Sequence, residues 1–251
     1  MNPILQRKGY LQLQRLLPPK ICVQLCEALA IWREKNRVPN PYGILHHNIY
    51  QSIPLFEEVL YRYKLGEIAC SIFGEDLYLF QDNLIWKPPG TEQEIEWHQD
   101  YSYWPLSAPR GLTLWIALED CRREQGAIAY IPTSHHWGEC LPTNFIQKGD
   151  AFWGKDLPKL PIEQSVDNRE YHSLRAGEAI IHHPLCCHQS GSNQTQLHRR
   201  GWSLSFVSTD VRWDPEHAPH PYNHWYNPQK GDTLHKNNFP RFSDEGLVHR
   251  D

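Results

Sequence analysis

The spacing of apolar residues changes at Gly74, from a helical period before it to a strand period after it. Five later segments carry alternating or continuously apolar residues bounded by Pro, Gly or Asp, as strands do. They are residues 77–86, 112–118, 127–131, 178–183 and 201–207. Helices first and strands later favour an antiparallel β core with helices on one side. We therefore predict a mainly β fold with flanking α-helices, a cupin-like jelly roll (double-stranded β-helix).

The residues before Gly74 predict one short strand and two helices. Residues 10–17 alternate in polarity and predict an edge strand. Residues 18–38 open with two prolines, which suit a first helical turn, and predict an amphipathic helix that ends before Pro39. Residues 54–73 predict a second helix, with Gly74 in the left-handed position after its end.

The chain of 251 residues is long enough for one domain with a substantial core. We predict a single domain over residues 1–251, with N-terminal helices at 18–74, a jelly-roll core at 77–210 and an irregular tail at 211–251 that wraps the core. The net charge of −4 and the pI near 6.4 give no basic surface for nucleic acid or an anionic membrane. The predicted partner is a small molecule.

No apolar run approaches the length of a membrane span, and residues 1–20 lack the apolar core of a signal peptide. We predict a soluble, cytoplasmic protein. The seven cysteines show no CxxC spacing, and Cys186-Cys187 are adjacent in an apolar segment. Reduced core thiols are therefore expected rather than a disulfide framework.

Residues 96–100, EWHQD, place an imidazole and a carboxylate one residue apart. On a strand, which the neighbouring aromatic residues favour, the period of two puts His98 and Asp100 on one face. A second His would complete the set of two imidazoles and one carboxylate that binds non-heme Fe(II) and leaves positions open for substrate and oxygen. Among 15 histidines such a doublet also arises by chance, as at residues 249–251. The downstream sequence therefore has to supply the second ligand.

His188 is the predicted second His. It closes an apolar segment before a polar turn, so its ring can reach the open end of a barrel, whereas His182 and His183 are weaker candidates. Arg199 follows across a polar loop, and on a hairpin it would lie beside the metal, with the Ser190 hydroxyl close by. A guanidinium suits a bidentate grip on a carboxylate. Metal and Arg199 together predict a dicarboxylate cosubstrate such as 2-oxoglutarate.

The order of these features resembles the phytanoyl-CoA dioxygenase family of Fe(II)/2-oxoglutarate oxygenases. Four linked motifs, in the order and at the spacing of the family, carry the resemblance over most of residues 77–206. They are KPP at 87–89 ahead of WHQD at 97–100, LWIALED at 114–120, QGAIAYIPTSH at 125–135, and HQSGSN at 188–193 leading to Arg199-Arg200.

The resemblance implies iron ligands and cosubstrate contacts at the matching positions. The implied Fe(II) ligands are His98, Asp100 and His188. The implied contacts of 2-oxoglutarate are Arg199 with Ser190 on the distal carboxylate, and Trp115 and Asn83. The implied reaction uses O2 and 2-oxoglutarate, releases succinate and CO2, and hydroxylates or oxidatively demethylates an unactivated C–H.

The chain departs from the family pattern at two positions. Gln125 stands where Asn usually precedes Gly, which puts any cosubstrate contact there in doubt, and Thr133 stands where Gly is usual. Asp100 is intact, which speaks against the halogenating relatives, where a small residue frees a site for halide.

Aromatic residues directly after the metal doublet are candidates for the substrate cavity. We expect Tyr101, Tyr103 and Trp104 to line it, with His47 from the polar segment between the two helices. Residues 134–175 show little periodicity and predict a lid or substrate loop. Basic residues are not clustered as a CoA site would need, so a small polar or amphipathic metabolite is the expected substrate.

Two other functions remain open at this point. Two imidazoles and a carboxylate also bind catalytic zinc in hydrolases, although the sequence has no HExxH motif. A jelly roll can also bind a ligand without turnover. The intact ligand set and Arg199 favour the oxygenase.

Overall fold

The computed structural model describes residues 1–36, 44–143, 157–237 and 239–249, which form two antiparallel sheets and a layer of helices. The predicted jelly roll is confirmed. The described strands are, in chain order, β1 (Tyr10–Leu13), β2 (Leu45–His47), β3 (Leu77–Lys87), β4 (Ile95–His98), β5 (Gly111–Ala117), β6 (Ile128–Tyr130), β7 (Glu170–Tyr171), β8 (Ala179–His182), β9 (His188–Ser190), β10 (Arg199–Ser208), β11 (Arg241–Ser243) and β12 (Gly246–His249). The described α-helices are α1 (Pro3–Lys8), α2 (Pro19–Lys35), α3 (Ile49–Ser52), α4 (Pro54–Arg62), α5 (Leu65–Phe73), α6 (Ile162–Ser165) and α7 (Pro221–Tyr226).

The two sheets differ in size. Within the described residues the large sheet has eight strands in the order β1-β8-β5-β10-β3-β11-β12, with β2 also paired to β3. The small sheet has four strands in the order β4-β9-β6-β7. The predicted edge strand is β1, which pairs with β8 and ends at Leu13. The inner faces of the two sheets face each other and enclose the cavity described below.

Strand β10 shows how the large sheet separates its two faces. Trp202, Leu204 and Phe206 are fully buried in the core beneath the helices, to which α2, α4 and α5 contribute their apolar faces. Ser203 and Ser205 alternate with them on the inner face, where Ser203 lines the cavity and Ser205 Oγ lies 3.4 Å from the Thr113 hydroxyl. The period of two thus places the apolar side chains of β10 on the outer face of the sheet and its serines on the inner face.

The prediction of one continuous second helix over residues 54–73 is wrong. It is two helices, α4 and α5, separated at Lys64, which adopts the left-handed conformation at φ 53°. The break lets α5 lay Gly66 directly on the Phe242 ring, where a Cβ would come within 2.2 Å of a ring carbon. This packing against β11 overrides the helical periodicity, which continues across the break.

The prediction that the tail after Asp210 is irregular is also wrong. It contains α7, β11 and β12, and β11 pairs with the start of β3. The two strands have three and four residues, which is too short for a period of two to show in the sequence. Aromatic residues of the tail pack around Phe80 at one end of the sheets; they include Trp213, Tyr222 and Phe239.

The predicted loop of residues 134–175 is partly structured. Its described portions contain a 3-10 turn at Ser134–Trp137, α6 and β7. Residues 144–156, including Lys148-Gly149-Asp150, lie outside the described residues. No α-helix in the described part of the chain is long and apolar enough to cross a membrane.

Candidate metal centre and its cavity

His98 and His188 meet on the small sheet. Strand β4 ends at His98, β9 begins at His188, and the antiparallel register pairs the two residues directly, with ring centroids 4.1 Å apart. Nδ1 of His98 lies 2.7 Å from the Glu96 carbonyl, and Nδ1 of His188 lies 2.9 Å from the Cys186 carbonyl. Because a carbonyl only accepts, each Nδ1 carries the proton and each Nε2 keeps a lone pair for a metal.

Asp100 completes the set from a turn. The prediction that it shares a strand with His98 is wrong, since β4 ends at His98 and Asp100 opens a 3-10 turn, Asp100–Tyr103. The turn brings Oδ1 of Asp100 to 3.6 Å from Nε2 of His98 and to 3.6 Å from Nε2 of His188. All three potential ligand atoms lie within 4.8 Å of one another.

Two side chains hold Asp100 from behind. Nε2 of His182 lies 3.0 Å from Oδ2 of Asp100, and the Thr113 hydroxyl donates to the same oxygen at 2.7 Å. Nδ1 of His182 lies 2.9 Å from the Tyr130 hydroxyl. Since an ionised carboxylate only accepts, His182 donates to Asp100 from Nε2. His182 is therefore placed to orient Asp100, whose Oδ1 is left to face the two imidazoles.

The protonation states suit a divalent metal. Burial raises the pKa of Asp100, but the charges and hydrogen bonds of His188, His182 and His98 outweigh it, so the pKa lies well below its usual range. Burial, together with His98 and His182, holds the pKa of His188 well below its usual range. An ionised carboxylate and a neutral imidazole are the forms that ligate metals. Two nitrogens and one oxygen with fixed tautomers fit Fe(II).

Arg199 opens β10 and lies inside the protein. It is 1% exposed, and its Nε and Nη1 have no hydrogen-bond partner among the described residues. Its guanidinium lies over the Trp115 ring, 4.7 Å from the centroid. Gly201 makes this possible, because a Cβ there would lie 2.0 Å from a Trp115 ring carbon. A buried cation with unused donors is costly unless an anion occupies the site.

Lys87 lies beside Arg199 and is fully buried. Its Nζ donates to the Ser190 carbonyl at 2.9 Å, to Ser190 Oγ at 3.0 Å and to the Gly191 carbonyl at 2.5 Å. Burial and the nearby Arg199 lower the pKa of Lys87 to about 6. Sequence reasoning used Lys87 only as part of a motif, and a lone lysine in a sequence gives no sign of burial.

The candidate metal ligands and Arg199 share a cavity of about 470 Å³. The metal set, Arg199 and most of the other predicted site residues line it. The predicted residues on its wall are His47, Asn83, His98, Asp100, Tyr103, Trp104, Trp115, His188, Ser190 and Arg199. Tyr101 is outside the wall, because its hydroxyl donates to the Leu106 carbonyl at 3.0 Å and its ring packs on His217.

A family model described as Phytanoyl-CoA dioxygenase (PhyH) matches residues 5–201. The chain belongs to the phytanoyl-CoA dioxygenase family. A family member of Arabidopsis thaliana named phytanoyl-CoA dioxygenase is 33% identical over 171 residues, which are 66% of this chain and 58% of that protein. A probable alpha-ketoglutarate-dependent hypophosphite dioxygenase of Stutzerimonas stutzeri is 25% identical over 177 residues, 70% of this chain and 58% of that protein. The match thus spans less than two thirds of these relatives.

Solved structures share the fold. The epimerase SnoN, in complex with Fe3+, alpha ketoglutarate and nogalamycin RO, superposes with a TM-score of 0.76 at 20% identity, covering 94% of this chain and 95% of that chain. At this identity the likeness establishes the jelly roll.

Both departures from the phytanoyl-CoA dioxygenase pattern have a visible local effect. Gln125 accepts from the Arg122 backbone N–H at 3.3 Å and lies outside the 470 Å³ cavity. Thr133 takes the left-handed conformation at φ 67°, where the family usually has Gly and where a β-branched residue is strained.

The phytanoyl-CoA dioxygenase match ends before part of the cavity wall. Pro219, His220, Pro221 and His224, from the tail, line the cavity beyond residue 201. Nε2 of His220 lies 3.0 Å from Oε1 of Gln81, so it donates to that amide and holds the tail against β3. Sequence analysis missed this wall, since nothing in the tail repeats with the spacing of a strand.

Proposed function

We propose that this chain is an Fe(II)- and 2-oxoglutarate-dependent oxygenase that hydroxylates, or oxidatively demethylates, an unactivated C–H of a small-molecule metabolite and releases succinate and CO2. Arg199 is the observation that carries the proposal. It is a buried guanidinium with two nitrogens unpaired among the described residues, in the same cavity as a His-Asp-His set. That pairing suits a cosubstrate that chelates a metal at one end and ends in a carboxylate at the other.

The metal end of the site is prepared by the protein. His98 and His188 present Nε2 atoms whose tautomers are fixed by backbone carbonyls, and Asp100 presents Oδ1. Three protein ligands leave further positions for cosubstrate and oxygen. Iron held there would supply the redox chemistry with O2 and 2-oxoglutarate, while the protein supplies orientation and a closed cavity.

The carboxylate end is prepared by Arg199 and its neighbours. The Trp115 ring supports the guanidinium from one side, which fixes the direction of its donors. The Ser190 hydroxyl, which accepts from Lys87, has its own hydrogen left to donate to a carboxylate. Asn83, on the cavity wall, is the remaining contact in this proposal.

The rest of the described wall favours a small polar substrate without charge. Burial lowers the pKa of His47 to about 4, against a hydrogen bond with Asn83, and burial lowers the pKa of His220 to about 3. Both imidazoles are therefore neutral at pH 7. Tyr103 and Trp104 add aromatic surface to the same wall. A cavity of about 470 Å³ that also has to hold 2-oxoglutarate suits a small molecule better than an acyl-CoA.

The oxygenase explains the site better than a zinc hydrolase. Among the described residues of the wall, Asp100 is the only carboxylate, and it faces the imidazoles, so the wall offers no separate carboxylate base for a hydrolytic water. A hydrolase or a binding protein would need an anionic ligand of its own to pair with Arg199, whereas the oxygenase has one in 2-oxoglutarate.

Succinate formation from 2-oxoglutarate, measured with Fe(II) and O2 over a panel of small neutral metabolites, tests the proposal. Wild-type protein should form succinate faster with one of them, and Arg199→Met should not. Arg200→Met is the matched control, because Arg200 is the next residue on β10 and binds Glu119 on the other face at 2.7 Å. Tight calorimetric binding of a long-chain acyl-CoA would contradict the substrate class, and equal loss in both variants would contradict the proposed function of Arg199.

A further inference from the structure

Two buried cations face each other at the end of the large sheet. Lys87 on β3 and Arg199 on β10 are direct partners in the antiparallel register. Lys87 is 0% exposed and Arg199 is 1% exposed. Like charges directly opposite on neighbouring strands destabilise a sheet, and burial increases the cost. The two side chains keep both charges only with a compensating anion; without one, burial and Arg199 lower the pKa of Lys87 to about 6.

Among the described residues, the groups around Lys87 do not supply that anion. Its three hydrogen-bond acceptors are the Ser190 carbonyl, the Ser190 hydroxyl and the Gly191 carbonyl, all uncharged. Arg199 faces it from β10, and Glu94 and Cys121 are the other titratable groups that act on it. Glu94 is exposed, so water screens its charge.

Lys87 also determines what the Ser190 hydroxyl can do. A protonated amine only donates, so Ser190 Oγ accepts from Lys87 and its own hydrogen is directed elsewhere. Ser190 lines the cavity that Arg199 lines. A neutral amine could instead accept that hydrogen, and the hydroxyl could then no longer donate to a ligand.

We propose that Lys87 is a positioning residue of the cosubstrate site: its charge and its hold on the Ser190 hydroxyl favour a distal carboxylate, which in turn offsets the repulsion between Lys87 and Arg199. The inference rests on the proposed function, because it takes 2-oxoglutarate as the dicarboxylate. It adds a second cation to a site for which sequence and family resemblance indicated only Arg199.

The test compares two ligands that differ only in the distal carboxylate. Fe(II)-loaded protein is titrated without oxygen with 2-oxoglutarate and with 2-oxopentanoate, which has the same five-carbon chain and no distal carboxylate. The ratio of the two Kd values isolates the carboxylate contact from the metal contact. Lys87→Met and Lys87→Gln are compared with wild type, and Arg200→Met is the control for loss of a cation on the other face of β10.

At pH 6, both Lys87 variants should lower the preference for 2-oxoglutarate by roughly tenfold to a hundredfold, the loss expected when the charge-assisted hydrogen bond from Ser190 Oγ to the distal carboxylate is no longer held in place. Fe(II) affinity and the Kd of 2-oxopentanoate should stay within about twofold of wild type, and Arg200→Met should keep the full preference. A purely structural lysine would weaken both ligands equally, and an unchanged ratio in the variants would overturn the inference.

The wild-type protein provides a second measurement if the variants fail to fold. The pKa of Lys87 is lowered to about 6 by burial and Arg199, and a bound carboxylate would raise it. The Kd of 2-oxopentanoate divided by that of 2-oxoglutarate should therefore be largest at pH 6 and should decline as the pH rises. A ratio independent of pH from 6 to 9 would overturn the inference alone. Failure of wild-type protein to bind either 2-oxo acid would overturn the proposed function and the inference with it.

Discussion

Replacement of His182 should weaken metal binding without abolishing it. His182 and Thr113 are the two donors to Oδ2 of Asp100, at 3.0 Å and 2.7 Å, so His182→Leu removes one of two bonds that orient the carboxylate. Loss of such a partner behind a metal ligand costs about 10-fold to 100-fold in affinity, or about 1.4–2.7 kcal/mol. Anaerobic calorimetric titration with Fe(II) measures it. His182→Gln, which keeps a donor, should recover most of the loss.

His183→Leu is the matched control. His183 is the adjacent imidazole, its Nδ1 accepts from the Leu185 backbone N–H, and it lies outside the cavity wall, so metal affinity should stay within about twofold of wild type. Unchanged affinity in His182→Leu would refute the orienting function. A loss greater than about a thousandfold in His182→Leu would mean that His182 is itself a ligand.

Three further substitutions test packing and burial around the site. Gly201→Ala should push Trp115 from beneath Arg199 and lower the free energy of unfolding in urea by about 1–3 kcal/mol. The affinity for 2-oxoglutarate should fall as well, and normal affinity would contradict the stacking of Arg199 on Trp115. Thr133→Gly should raise stability by about 1 kcal/mol, because it removes a side chain from a left-handed position, and a loss of stability would show that no strain is present. Burial raises the pKa of Asp82 to about 7, although hydrogen bonds from Trp202 and Tyr50 act in the opposite direction. Asp82 therefore ionises at lower pH in the unfolded chain than in the folded protein, and wild type loses stability as the pH rises towards 7. Asp82→Asn should avoid about 2 kcal/mol of that loss between pH 5.5 and 8, and parallel pH profiles of the two proteins would contradict the assignment.

The convergence of the candidate metal ligands was predictable because the ligand chemistry depends on residue types. A His and an Asp one residue apart, a downstream His at a strand end and an Arg beyond it recur as a group, and the cavity holds all four. The backbone beneath them was less predictable. Asp100 lies in a 3-10 turn, and the side chains that the sequence assigned to one strand face converge through that turn instead.

What the sequence could not reveal depends on contacts between distant segments. The separation of α4 from α5 follows from Gly66 meeting Phe242, and neither residue is informative alone. The hydrogen bond from His220 to Gln81 joins the tail to β3 across 139 residues of chain. The position of Lys87 opposite Arg199 follows from strand register, which apolar periodicity does not specify to single residues.

The central claim is that one cavity holds a metal at one end and a dicarboxylate at the other. Anaerobic titration of the apo-protein with Fe(II) and then with 2-oxoglutarate tests it most directly, through the weak visible charge-transfer band that forms when a 2-oxo acid chelates iron. The band should form in wild type and in Arg200→Met. Arg199→Ala should bind iron normally and show the band only at much higher 2-oxoglutarate concentration. Bound iron without a band in wild type would contradict a shared site for metal and dicarboxylate.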